Sequence, residues 1–119
     1  MRSISILGST GSIGTQALQV ISLHPDRFEV AALTAHGNEQ LLFEQVRAFR
    51  PRLAVLAKKP EYLPEDVRFC RWAYGEEGLL EAASLSSADD VLVSVSGFAG
   101  LKLSLAAAKA EKRLLSVEY

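Results

Sequence analysis

One cysteine, Cys70, is all the thiol chemistry in this chain. That excludes an internal disulfide and a zinc site built from cysteines, and it suits a reducing compartment such as the cytoplasm. No apolar run approaches the roughly 20 residues that cross a bilayer. Arg2 is followed by only a short apolar stretch before Gly8 interrupts it, so a secretory leader is not expected. Neither is a membrane partner. Charge of one sign is missing too: 13 Lys and Arg stand against 14 Asp and Glu, for a formal net charge of -1. Without a basic stripe, nucleic acid is not an expected partner. Repeats and low-complexity tracts are absent as well. What remains is 119 residues, 49% hydrophobic and 23% charged, the size and balance of one soluble domain with one core.

The apolar pattern alternates between strand and helix signals. Ser3 to Leu7 reads as a short buried strand, closed by a Gly-rich turn. A helix from Ile13 places Ala17, Val20 and Ile21 on one face and ends at His24-Pro25-Asp26. Phe28 to Thr34 is a continuous apolar run, as expected of a strand covered on both faces. Asn38 can cap a helix marked by Leu42, Val46 and Phe49 and stopped by Pro51. Leu53 to Ala57 is a third strand, and Lys58 to Asp66, with two prolines, a surface connection. Further on come a short strand over Val67 to Trp72, a helix over Glu76 to Ala83 with Leu79, Leu80 and Ala83 inward, and a strand over Val91 to Val95. A turn at Ser96 to Gly100, a helix marked by Leu101, Leu105 and Ala108, and a strand over Arg113 to Val117 complete the chain. Such βαβ units predict a single α/β domain, Rossmann-like and doubly wound, on a mainly parallel sheet.

Gly8, Gly11 and Gly14 lie between the first strand and the first helix. One glycine reverses the chain, a second lets backbone approach a diphosphate, and a third lets helix and strand pack closely. The helix start adds unpaired amides and a positive dipole end; Thr10 and Ser12 can add hydroxyls. The competing reading is a tight turn with no ligand. A Walker loop fits poorly, because no Gly-Lys-Ser/Thr follows. After the second strand, Thr34-Ala35-His36-Gly37-Asn38 carries no carboxylate for an adenosine ribose hydroxyl. Its absence favours NADP(H) over NAD(H), although the turn also lacks Arg and Lys. His36 is read either as a phosphate contact or as a solvated loop residue, and Asn38 as a helix cap, an adenosine contact or both.

The remaining candidates carry less. Ser96-Gly97 could sit near a nicotinamide or be a plain turn. Cys70 reads as an inert thiol, although Arg68 would share its face in an extended segment. Asp89-Asp90 read as a solvated loop in preference to a metal site, and His24 as a helix-end residue.

The segment Ile4-Ser5-Ile6-Leu7-Gly8-Ser9-Thr10-Gly11-Ser12-Ile13-Gly14-Thr15-Gln16 resembles the opening of the 1-deoxy-D-xylulose 5-phosphate reductoisomerases. His24-Pro25 with Phe28, Ala35-His36-Gly37-Asn38 and Val93 to Leu101 are similar to that family as well. The resemblance implies an NADPH-dependent enzyme of non-mevalonate isoprenoid biosynthesis, using Mg²⁺ or Mn²⁺, that rearranges and reduces its substrate to 2-C-methyl-D-erythritol 4-phosphate. It implies that Thr10, Gly11, Ser12 and Ile13 contact the cofactor diphosphate, and that His36, Gly37 and Asn38 face the adenosine end. Residues 1–119 are then the N-terminal NADP(H)-binding domain. The family's metal ligands, substrate-phosphate site and most of its homodimer contacts belong to a later region. This chain is therefore expected to hold no catalytic or metal residues and to be inactive alone. A standalone nucleotide-binding regulatory module, or the N-terminal domain of another NAD(P)-dependent oxidoreductase such as a semialdehyde dehydrogenase, remains an alternative.

Overall fold

The computed structural model describes residues 1–95 and 97–115. Its elements run β1 (Arg2–Leu7), α1 (Ser12–Ser22), β2 (Phe28–Ala35), α2 (Glu39–Phe49), β3 (Leu53–Leu56), a 3-10 turn (Glu65–Val67), β4 (Arg71–Tyr74), α3 (Gly75–Ser84), β5 (Asp90–Val93), α4 (Gly97–Lys109) and β6 (Arg113–Leu115). The strands pair in the order β4-β3-β2-β1-β5-β6, and every described pairing is parallel. The doubly wound α/β expectation therefore holds.

Side-chain alternation along the strands decides which helix covers which face. Ile4, Ile6, Val30, Ala54 and Leu56 point toward α1 and α2, where they meet Leu18, Ile21, Leu42, Phe43 and Val46. Leu7, Ala32, Leu53, Val55 and Val91 point the other way, toward Ala82, Ala83, Leu103 and Ala107 of α3 and α4. The chain winds outward from β1 to β4, then crosses back so that β5 lies on the other side of β1. Between β1 and β5 the order of winding reverses, the switch point at which open α/β sheets place their ligands, at the carboxyl ends of the strands.

Several local expectations need correction. Val20 is 56% exposed, as are Leu101 at 56% and Leu105 at 62%, and Ala108 is exposed too. The buried stripes are instead Gly14, Leu18 and Ile21 on α1, and Gly100, Leu103 and Ala107 on α4. Close approach explains the choice. A Cβ on Gly100 would lie 1.9 Å from the Val95 carbonyl oxygen, so the glycine must face the sheet and the leucines turn out. The strand expected over Val67 to Trp72 is shifted. Val67 ends the 3-10 turn, fully buried, and accepts a 2.9 Å hydrogen bond from Trp72 Nε1 on β4. Asp90 is no solvated loop residue. It has no exposed surface and holds Arg113 Nε at 2.9 Å and Arg2 Nε at 3.1 Å, while Asp89 accepts from the Ser3 amide at 2.9 Å. Ser96, the end of the expected last strand at Ser116 and Val117, and Tyr119 lie outside the described residues.

Candidate functional site

The Gly8 to Gly14 turn lies at this switch point, and its glycines differ in kind. Gly8 has φ +87°, in the left-handed region, and a Cβ there would lie 2.8 Å from Ser94 Oγ. A Cβ on Gly14 would lie 2.3 Å from the Gly8 carbonyl oxygen and 2.6 Å from Ser9 Cα. Packing within the protein demands both glycines. Gly11 is another matter. It is exposed, its φ is -80°, and a Cβ would touch only the Gly8 carbonyl oxygen, at an ordinary 3.6 Å. Nothing in the protein's own packing requires a glycine there.

The turn is clamped on both sides. Thr34 Oγ1 accepts from the Gly8 amide at 2.8 Å, and the Thr34 carbonyl accepts from the Ser9 amide at 2.8 Å. The buried Ser9 hydroxyl donates to Gln45 Oε1 at 2.7 Å, while Gln45 Nε2 returns a 2.9 Å bond to the Ser9 carbonyl. From the other side of β1, Ser94 Oγ lies 2.8 and 2.9 Å from the carbonyl oxygens of Leu7 and Gly8. With these groups satisfied internally, and the Gly11 amide donating to the Gly8 carbonyl at 3.3 Å, the amides left without a partner lie further on, at the start of α1.

The two helix starts nearby are treated differently. Gly11, at the N-cap of α1, supplies no side-chain acceptor, and the first turn has no acidic residue. Among the described residues no acceptor meets the amides of Ser12, Ile13 and Gly14. At α2, Asn38 Oδ1 accepts from the Leu41 amide at 3.3 Å, as expected of a cap, and Glu39 lies in the first turn. Of the two, only α1 is left open to an outside anion.

The other predicted residues fall on the same edge. Leu7 pairs with Thr34, so the chain leaving β1 at Gly8 to Ile13 and the chain leaving β2 at His36, Gly37 and Asn38 emerge side by side. Thr10 and Ile13 are half-buried, with Ile13 packed on the core; Gly11, Ser12, His36, Gly37 and Asn38 are exposed. His36 borders an apolar cleft of about 400 Å³ lined by Leu79, Leu80 and Phe98, among others. Cys70 lies apart from this edge. Burial pushes its thiol up to about 11, against its own backbone hydrogen bond and Arg50. The condition for Arg68 to share its face, an extended segment, is not met: Arg68 ends the 3-10 turn and donates to the Leu63 carbonyl at 2.9 Å. Gln45 carried no motif signal, and Ser94 lies in the family-like Val93 to Leu101 segment without a role being assigned to it. For Gln45 the hint was a glutamine between Leu42 and Val46 on an otherwise apolar helix face.

A parallel α/β sheet whose Gly-rich first turn lies at its switch point defines the chain as a Rossmann-like nucleotide-fold domain. The sequence pattern described as 1-deoxy-D-xylulose 5-phosphate reductoisomerase matches residues 4–116. The chain belongs to this family. The reductoisomerase of Moorella thermoacetica is 49% identical over 115 residues, 93% of this chain and 30% of the relative. That of Thermomicrobium roseum is 47% identical over 111 residues, 93% of this chain and 28% of the relative. The solved enzyme of Zymomonas mobilis in complex with NADPH matches with a TM-score of 0.85 at 33% identity, over 98% of this chain and 32% of its own. A DOX-P reductoisomerase in complex with magnesium gives 0.87 at 34% identity, over 99% of this chain and 31% of its own. This chain thus spans roughly 30% of the length of such relatives. Among the described residues no helix is long and apolar enough to cross a membrane.

Proposed function

We propose that residues 1–119 are the N-terminal NADP(H)-binding domain of a reductoisomerase that converts 1-deoxy-D-xylulose 5-phosphate to 2-C-methyl-D-erythritol 4-phosphate. The observation that carries the reading is the pairing of Gly11 with the open start of α1. The glycine answers no need of the protein's own packing, and it stands beside amides with no internal partner. A diphosphate laid across Thr10, Gly11, Ser12 and Ile13 supplies the missing acceptors and the anion that the helix dipole favours. His36, Gly37 and Asn38 then face the adenosine end. NADPH, when bound, supplies the hydride for the reduction. The chain's own part is to bind and orient it.

Among the described residues no three His, Cys, Asp or Glu side chains come together as a metal-holding group. These residues do not fit a divalent cation, and no step is assigned to one here. Handling of the metal and the phosphorylated substrate is assigned to the portion of the relatives that this chain does not cover. Titration of the purified chain with NADPH and NADH tests the reading. Tighter binding of NADPH is expected, with no NADPH oxidation on adding substrate and Mg²⁺. Absent or equal binding of the two dinucleotides would overturn it.

A further inference from the structure

Two hollows meet at the carboxyl end of β2. The apolar cleft lies on one side; on the other is a groove of about 510 Å³ lined by Lys58 and Lys59, with Glu39 and Glu61 on the same walls. His36 and Ala57 border both. The juxtaposition follows from register. Ala35 pairs with Leu56 in parallel, so the chain leaving β3 at Ala57, Lys58 and Lys59 runs beside the chain leaving β2 at His36 and Gly37. The described ion pairs engage Arg2, Arg47, Arg71, Lys102 and Arg113. Among the described residues, Lys58 and Lys59 have neither a carboxylate partner nor a hydrogen-bond acceptor for their side chains.

The turn after β2 contains no lysine or arginine of its own, yet a 2′-phosphate on the adenosine ribose needs a cation. Resting on the dinucleotide reading above, we infer that Lys58 and Lys59, at the end of the neighbouring strand, receive that phosphate. His36 then lies at the ribose and the adenine enters the apolar cleft. The lysines act as specificity residues through charge. A dianionic phosphate between two ammonium groups is attracted whatever its exact rotation, because Lys is a flexible point charge with three donors. Glu39 and Glu61 work against any anion in the groove, so the preference rests on the lysines outweighing them. NADH has no group to place there.

Titrating the wild-type chain and a Lys58→Ala/Lys59→Ala double variant with NADPH, NADH, adenosine 2′,5′-bisphosphate and adenosine 5′-monophosphate tests this. In the variant, affinity for NADPH and the bisphosphate is expected to fall roughly tenfold or more. Affinity for NADH and the monophosphate should hold within about twofold. Each single substitution should give part of the loss, and added salt should narrow the wild-type preference. Both lysines are exposed, so the ligand-free melting temperature should not move. Wild-type protein that binds neither dinucleotide overturns the dinucleotide reading and this inference with it. A wild-type preference for NADPH that survives the double substitution, or an equal loss for both dinucleotides, overturns this inference alone.

Discussion

Two glycines three positions apart in the same pattern divide the work of the turn at the level of single atoms. Gly14 is fixed by contact: a methyl group would be driven against the Gly8 carbonyl oxygen at 2.3 Å. Gly14→Ala should therefore cost stability, on the order of 2 kcal/mol or more by overpacking, and show as a lowered melting temperature whether or not cofactor is present. Gly11 has room for a side chain in the protein and ordinary backbone angles. Gly11→Asp should fold with a nearly unchanged ligand-free melting temperature and lose NADPH binding, because its carboxylate would face the diphosphate. Retained affinity in that variant would refute the diphosphate geometry. The motif calls for three glycines with three different tasks without saying which residue takes which. Only the space around each separates the one kept for folding from the one free for a ligand.

The strands are tied by a clasp whose members come from three of them. Arg2 on β1 and Arg113 on β6 both grip the buried carboxylate of Asp90 on β5, Arg113 through Nε at 2.9 Å and Nη2 at 3.2 Å. The hydrogen bond from Arg2, reinforced by Arg113 and opposed by burial, holds the Asp90 carboxyl below its usual range. A depressed folded-state pKa contributes stability that is present above the unfolded value of about 4 and lost as pH falls through the lower folded one. Asp90→Asn should cost on the order of 2 kcal/mol at neutral pH. Its gap from wild type in denaturant melts should close as the pH is lowered below about 4; a gap that stays constant with pH would refute the clasp's ionic character. This element-level device was illegible in the sequence, where Asp89-Asp90 looks like a solvated strand entrance and the two arginines lie 88 and 23 positions away. Strand and helix order was legible, because continuous apolar runs alternate with helical spacing. The facing of α1 and α4 was not. Both helices carry more apolar residues than one face can hold, and Gly14 and Gly100, by requiring close approach, decide which residues are buried. The turn and its neighbours after β2 were legible as a candidate site because their residue types match a chemical need. Ser94, Lys58 and Lys59 join that candidate site only through sheet register, and Gln45 only through the packing of α2 against the sheet.

Over the whole molecule, a ligand that binds the folded chain alone must stabilise it. At a hundredfold excess over its Kd, NADPH should add about 3 kcal/mol and raise the melting temperature of a domain this size by roughly 10 °C. A scan with NADPH in steps of concentration checks this, and a flat response would mean that the folded chain does not bind it. Phe98, Leu101 and Leu105 leave an apolar strip on the outside of α4, exposed at 75%, 56% and 62%, so the ligand-free chain should be handled at low concentration. The crossing of the chain from β4 back to β5 also bears on the order in which the molecule becomes competent. Ser94, which holds the carbonyls of Leu7 and Gly8, lies 86 positions beyond Gly8. The first motif to be synthesised is thus finished only by a residue made much later: a nascent chain that has made the Gly-rich turn and the strands β1 to β4 still lacks the hydroxyl that sets the turn's carbonyls. Capture of the nucleotide would then serve as a signal that β5 has docked beside β1, reported from the earliest residues of the chain.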